Sequence, residues 1–299
     1  MKIRLGTRKS ALALAQSEEV KARLMAAWPN LEVELVKITT SGDKFTEFPL
    51  ADIGGKGLFT KEIEEALLDR SIDIAVHSMK DMPTVLPPGL IISAMLPRED
   101  PRDTLIGRRS LADIPSGATF GTSSLRRAAQ MLMKRPDISI VTLRGNVETR
   151  LSKVHKGLIG ATMLAQAGLN RLGIHGAGIT LSVDDFLPAI AQGAVGVECR
   201  ENDTRIRELL SRIHDEPTMV AVSCERAFLH ELEGSCRTPI AGYASQNGDE
   251  LNFRGLIAQP DGTHCHTISL SDSASNHLLL GREAGRLLRV KRGESKSFA

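Results

Sequence analysis

The chain has 299 residues, with 38 Lys and Arg against 36 Asp and Glu, 41% apolar and 25% charged. This is ordinary globular usage, which excludes a disordered chain, collagen or a coiled coil, and the near-neutral balance excludes a broadly basic nucleic-acid coat. At about 150 residues per domain the length predicts two domains, or three small ones.

Lys2, Arg4, Arg8 and Lys9 put charge where a signal peptide needs an apolar run. Lys2–Leu5 reads as a strand. Ser10 then caps a predicted helix over Ala11–Ala27, with Leu12, Ala15, Val20 and Leu24 near one face. Leu31–Ile38 alternates in its first half, as a strand does. Thr39–Gly57 is long and contains four glycines, so it is either a lid or a plain surface loop. A helix over Lys61–Asp69 and an apolar strand over Ile72–His77 follow. That strand runs into His77-Ser78-Met79-Lys80-Asp81, which gathers a ring, a hydroxyl, a cation and a carboxylate. Lys80 is suited to hold an anion and Asp81 to face a developing cation; the alternative is a turn with a packed His77.

The polar, Pro-bounded stretch 97–103 reads as a crossing between lobes. Beyond it, Ala118–Phe120 is a predicted strand end and Gly121-Thr122-Ser123-Ser124 a loop and cap. Leu125–Met133 is a helix, Ile138–Leu143 a strand, Leu158–Leu164 another strand, and Ala165–Arg171 a helix. Strands alternating with helices predict parallel α/β sheets. A second break falls near His214-Asp215-Glu216-Pro217. After it come a helix over Met219–Leu232, strands around Ile240–Ala244, Leu251–Ala258 and Thr263–Leu270, and a last helix, the order of a smaller α+β domain.

There are 25 Arg and only 13 Lys, and residues 121–160 hold eight basic against two acidic residues. Arginine forms a fixed fork that matches a carboxylate bidentately, whereas lysine is a point charge. With aromatics at 3%, stacking platforms for single strands are scarce, so the basic stretch points to small polyanions. Gly121–Arg127 combines free helix N–H groups, hydroxyls and two arginines, and reads as an anion site or as a solvated basic face. The four cysteines form no CxxC pair. Cys236, in a Gly/Ser turn beside Arg237, reads as a nucleophile, a covalent anchor or an inert thiol. His264-Cys265-His266 lacks a fourth ligand, so no metal is expected. Apolar windows are too short to span a bilayer, and a cytoplasmic protein without membrane or nucleic-acid partners is expected.

Taken together, Thr7-Arg8-Lys9-Ser10, Gly54-Gly55-Lys56-Gly57-Leu58-Phe59, Ala75–Asp81, Arg98–Asp103, Gly121–Arg127, Leu143–Val147, Gln192–Gly196 and Gly234-Ser235-Cys236 closely resemble the porphobilinogen deaminase (hydroxymethylbilane synthase) family. The resemblance runs from Lys2 to about Leu288. It implies an α/β fold: two lobes like the periplasmic binding proteins, with mixed sheets, plus a smaller α+β C-terminal domain. The implied domains are residues 1–97 with 195–212, residues 98–194, and residues 216–299. It implies a transferase that condenses four porphobilinogen molecules head to tail into hydroxymethylbilane. The primer is a dipyrromethane cofactor held through a thioether on Cys236, and the protein is a monomer.

By the same resemblance Asp81 is the catalytic carboxylate. Lys80, Ser78, Thr122, Ser124, Arg126, Arg127 and Arg150 hold the cofactor. Arg8, Ser10, Arg144, Arg150 and Arg171 hold substrate carboxylates, and Lys56 and Phe59 belong to a lid. The substrate and the growing polypyrrole are strongly anionic. Each ring carries an acetate and a propionate, which accounts for arginine over lysine. Loss of ammonia leaves a cationic azafulvene, which a carboxylate would stabilise. Three departures from the family pattern stand out. Ser235 and Arg237 flank the cysteine in place of Gly and Gln, Gly160 replaces an Asp, and Ala191 replaces a Gly. Rival readings are a non-catalytic two-lobed anion binder and a cysteine-nucleophile hydrolase.

Overall fold

The computed structural model describes residues 1–44, 57–233 and 238–293. In chain order the elements are β1 (Lys2–Arg8), α1 (Ala11–Ala27), β2 (Glu32–Ile38), the short α2 (Ser41–Lys44), α3 (Lys61–Leu68), β3 (Ile74–Ser78), a 3₁₀ turn (Met79–Asp81) and β4 (Leu90–Met95). Next come β5 (Asp103–Ile106), β6 (Thr119–Gly121), α4 (Leu125–Lys134), β7 (Ser139–Val141), α5 (Val147–His155), β8 (Ala161–Ala165), α6 (Gln166–Arg171) and β9 (Ile179–Thr180). The chain ends with β10 (Val195–Arg200), α7 (Thr204–Ser211), α8 (Glu216–Glu231), β11 (Ile240–Asn247), β12 (Glu250–Ile257), β13 (His266–Ser273) and α9 (His277–Lys291).

Two compact units result. Residues 1–44, 57–99 and 193–219 make the first; residues 100–192, 220–233 and 238–293 make the second. The first holds a five-stranded sheet of order β2-β1-β3-β10-β4. Strands β1, β2 and β3 are parallel, while β10 runs antiparallel between β3 and β4. Every residue of β10 is buried, as a strand covered on both faces requires. Ile3, Leu5, Val33, Ile74, Val76 and Val197 form the main core with Val20 and Leu24 of α1. On the other face Ile63 and Leu67 of α3 pack on Ile72 and Ala75. Ser10 starts α1 as expected, its hydroxyl accepting from the Ala13 N–H at 3.3 Å.

The second unit holds a sheet of order β7-β6-β8-β5-β9 and an antiparallel sheet β11-β12-β13. In the former β6 is parallel to β7 and β8, and β5 is antiparallel to β8 and β9. Both large sheets are therefore mixed. Strand–helix alternation by itself predicts all-parallel sheets, and is corrected here because β5 and β10 each enter without a preceding crossover helix. Behind the antiparallel sheet α8 and α9 cross closely. A Cβ on Gly281 would lie 2.2 Å from the Cys224 carbonyl oxygen, so only glycine permits that approach. Phe228 of α8 and Phe253 of β12 pack with ring centroids 4.8 Å apart.

Candidate functional site

In the first unit the carboxyl ends of the parallel strands β1 and β3 lie on one edge, because parallel neighbours end on the same side. Arg8 closes β1 and Ser78 closes β3, so the segments 8–10 and 78–81 meet there. The Arg8 guanidinium stands over the Phe59 ring, 4.2 Å from its centroid, so the structure brings these two together. Ser10 spends its hydroxyl on the helix cap. Alternation along β3 turns Ser78 toward α1, where its Oγ and the Gln16 side-chain amide are 2.9 Å apart. Met79 is buried, and its N–H donates to the Ala194 carbonyl at 3.1 Å. The turn so anchored leaves Lys80 half-buried and Asp81 exposed.

In the second unit β6, β7 and β8 end on a common edge, and antiparallel β5 begins there, Asp103 facing Ala165. Thr122 and Ser124 follow β6. The Thr122 hydroxyl accepts from the Ser124 N–H at 3.0 Å, and Ser124 caps α4 by accepting from the Arg127 N–H. Arg126 and Arg127, expected to hold the cofactor, are both buried, and both pair with Asp103. Arg126 Nη1 reaches Asp103 Oδ2 at 2.7 Å, and Arg127 Nη2 reaches Oδ1 at 2.6 Å. Gln192 Nε2 donates to the same Oδ1 at 3.1 Å. Burial alone would raise the Asp103 pKa; the two guanidiniums outweigh it and hold the carboxyl well below the ordinary range. Arg127 also donates to the Met163 carbonyl and Arg126 to the Leu187 carbonyl. Yet Arg126 Nε is buried without a hydrogen-bond partner, and so is Arg144 Nη1. Arg144, Arg150 and Arg171 are half-buried, the first two after β7 and the last at the end of α6. Arg150 Nε donates to the Gly145 carbonyl at 2.9 Å.

Cys236 and Lys56 lie outside the described residues, as does most of the Thr39–Gly57 segment. Of the other cysteines, burial pushes the Cys199 thiol up to about 11 and raises Cys224 and Cys265 as well, so none of these three is an activated nucleophile. Among the described residues no group of three or more His, Cys, Asp or Glu side chains is placed to hold a metal ion, and no helix is long and apolar enough to cross a membrane. Asp103 is the residue that sequence reasoning passed over. Nothing local marks an aspartate after Pro101 as the partner of two arginines over twenty residues on.

Two mixed α/β sheets whose strand ends carry hydroxyls and guanidiniums, together with a smaller antiparallel sheet, define a class: mixed α/β proteins with an added α+β unit. Comparison with known proteins narrows it. "Porphobilinogen deaminase, dipyromethane cofactor binding domain" matches residues 3–208, and "Porphobilinogen deaminase, C-terminal domain" matches residues 219–289. The chain belongs to the porphobilinogen deaminase family. It is 52% identical to the porphobilinogen deaminase of Nitrobacter hamburgensis over 97% of this chain and 93% of that one. It is 51% identical to the chloroplastic enzyme of Pisum sativum, over 97% of this chain and 82% of the relative. Among solved structures it is similar to the periplasmic aliphatic sulphonate binding protein SsuA from Escherichia coli. There the TM-score is 0.41 at 14% identity, over 78% of this chain and 70% of that one, too distant to bear on function.

Proposed function

We propose that this chain deaminates and condenses four porphobilinogen molecules into hydroxymethylbilane, for tetrapyrrole synthesis. The carrying observation is that the two family descriptions match in order over residues 3–208 and 219–289. The division into residues 1–97 with 195–212, residues 98–194 and residues 216–299 belongs to the same reading, as do a thioether on Cys236, a monomeric state and a cytoplasmic location.

The residues present fit a dipyrromethane. Its acetates and propionates need fixed donors, and Arg126 Nε and Arg144 Nη1 are buried donors with no hydrogen-bond partner. By the family resemblance, Arg126, Arg127, Arg150, Thr122, Ser124, Lys80 and Ser78 would hold it. When bound it supplies a nucleophilic pyrrole carbon on which the product is built.

The protein's own residues then have three tasks. Arg8, Arg144 and Arg171 bind the carboxylates of the incoming ring, and Ser10 adds a hydroxyl; bidentate forks fix orientation as well as charge. Asp81 stabilises the positive charge left on the substrate when ammonia departs, and takes up the proton released from the ring carbon after coupling. Phe59, held against Arg8, shields that charge from water. Purified protein given porphobilinogen should release four ammonia per hydroxymethylbilane. Consumption of porphobilinogen without ammonia release would overturn the reading.

A further inference from the structure

Behind the Ser78–Asp81 segment lies a set of buried titratable side chains for which the chemistry above has no use. His77 is on β3, Glu198 on the adjoining antiparallel β10, and Glu64 on α3, which covers the same face of that sheet. His77 Nε2 and Glu198 Oε2 are 2.8 Å apart, with side chains 5% and 0% exposed. A carboxylate can only accept, so His77 donates here.

That leaves Glu198 Oε1, which is buried and has no hydrogen-bond partner. Glu64 Oε1, on α3, is in the same condition. Two buried carboxylates with unmet oxygens beside one imidazole are unfavourable when both are ionised, because like charges repel and an unpaired buried acceptor pays its full desolvation penalty. One proton resolves this. Placed on Glu64, it converts that side chain from an acceptor into a donor for Glu198.

We propose that Glu64 is a positioning residue. Its protonated carboxyl donates to Glu198, Glu198 holds His77, and His77 fixes the strand end from which Ser78, Lys80 and Asp81 project. The inference rests on the reading of that segment as catalytic. Burial, and then the charge of Glu198, raise the Glu64 pKa, against weaker opposing pulls from Thr60 and His77. Among the described residues, Glu198 on β10, His77 on β3 and Thr60 at the head of α3 are the polar and titratable groups that act on it. The acid form of Glu64 therefore persists to higher pH than that of an exposed glutamate. As pH rises further the proton is lost, two carboxylates oppose each other, and the strand end loosens.

The test uses the holoenzyme. Infrared difference spectra of wild type, collected across the pH range in which the enzyme is active, should contain the carbonyl stretch of a buried protonated carboxyl, absent in Glu64→Gln. Wild-type kcat should fall on the alkaline side. Glu64→Gln has an amide that donates at every pH, so it should keep kcat near the wild-type plateau and lack that fall. Glu64→Leu, which cannot donate, should lose roughly tenfold in kcat with KM nearly unchanged, about the worth of one buried hydrogen bond. Absence of the acid stretch, or an unaltered alkaline fall in Glu64→Gln, would overturn the proposal. Full activity in Asp81→Ala would overturn the reading of the segment, and the positioning role with it, while leaving the assignment of the stretch intact.

Discussion

Ala191 has a φ of 59°, in the left-handed region that L-residues with a Cβ avoid, and its N–H donates to Glu225 Oε2 at 2.5 Å. The family pattern has glycine here. The conformation costs a non-glycine residue about 1–2 kcal/mol, and glycine's extra unfolded-state freedom costs about 0.4–1 kcal/mol. Strain relief is the larger effect, so Ala191→Gly should stabilise the protein by about 0.5–1 kcal/mol, read from the urea midpoint; a lower midpoint would mean that the backbone is not strained there. At Asp81, replacement by Ala should keep the fold, since the side chain is exposed, and cut turnover by about 10²-fold or more, the scale of losing one stabiliser of transition-state charge. Arg144→Leu should leave partly elongated species bound to the enzyme, visible by mass; elongation at the wild-type rate would remove Arg144 from the clamp. At this scale the sequence is informative where a residue acts on its neighbours. Ser10 and Ser124 cap the helices they were expected to cap, because capping depends on residues three positions apart. It is silent where the partner is distant, as in the bonding of Glu198 to His77, 121 positions away.

The edge of the second sheet turns on one buried ion cluster, in which Asp103 at the start of β5 neutralises Arg126 and Arg127 at the start of α4. Asp103→Asn would leave two guanidiniums buried with too little negative charge, and should destabilise by about 3–5 kcal/mol. The folded-state pKa of Asp103 is depressed, so its contribution is present above its unfolded value of about 3.9 and is lost as pH falls below it. Wild type should lose stability as the solution is acidified through that range, and Asp103→Asn should lose less; equal slopes in the two would show that Asp103 is not the linked group. Strands with one buried face, or flanked by capped helices, were legible, β1, β2 and β6 among them. Others were not. Asp103–Ile106 hid behind Pro101 and a run of charges, and Val195–Arg200 carries Glu198 and Arg200 inside a strand buried throughout. In α5 only Val154 is buried, so its nine residues show no apolar stripe.

Across the whole chain, ordered motifs carried the fold class and the activity further than periodicity could, because those among the described residues flank the ends of strands and helices, where the topology collects them. The mixed sheets follow from that topology and not from composition. The abundance of arginine fits a polyanionic product, and Arg126 and Arg127 among them also neutralise the buried Asp103. The proposed chemistry starts from a covalent primer on Cys236, for which intact-protein mass spectrometry of the purified chain is the decisive measurement. The predicted result is a mass excess of two pyrrole units located on Cys236 and lost in Cys236→Ser together with activity. A fully active protein whose mass equals that of the bare polypeptide would contradict it.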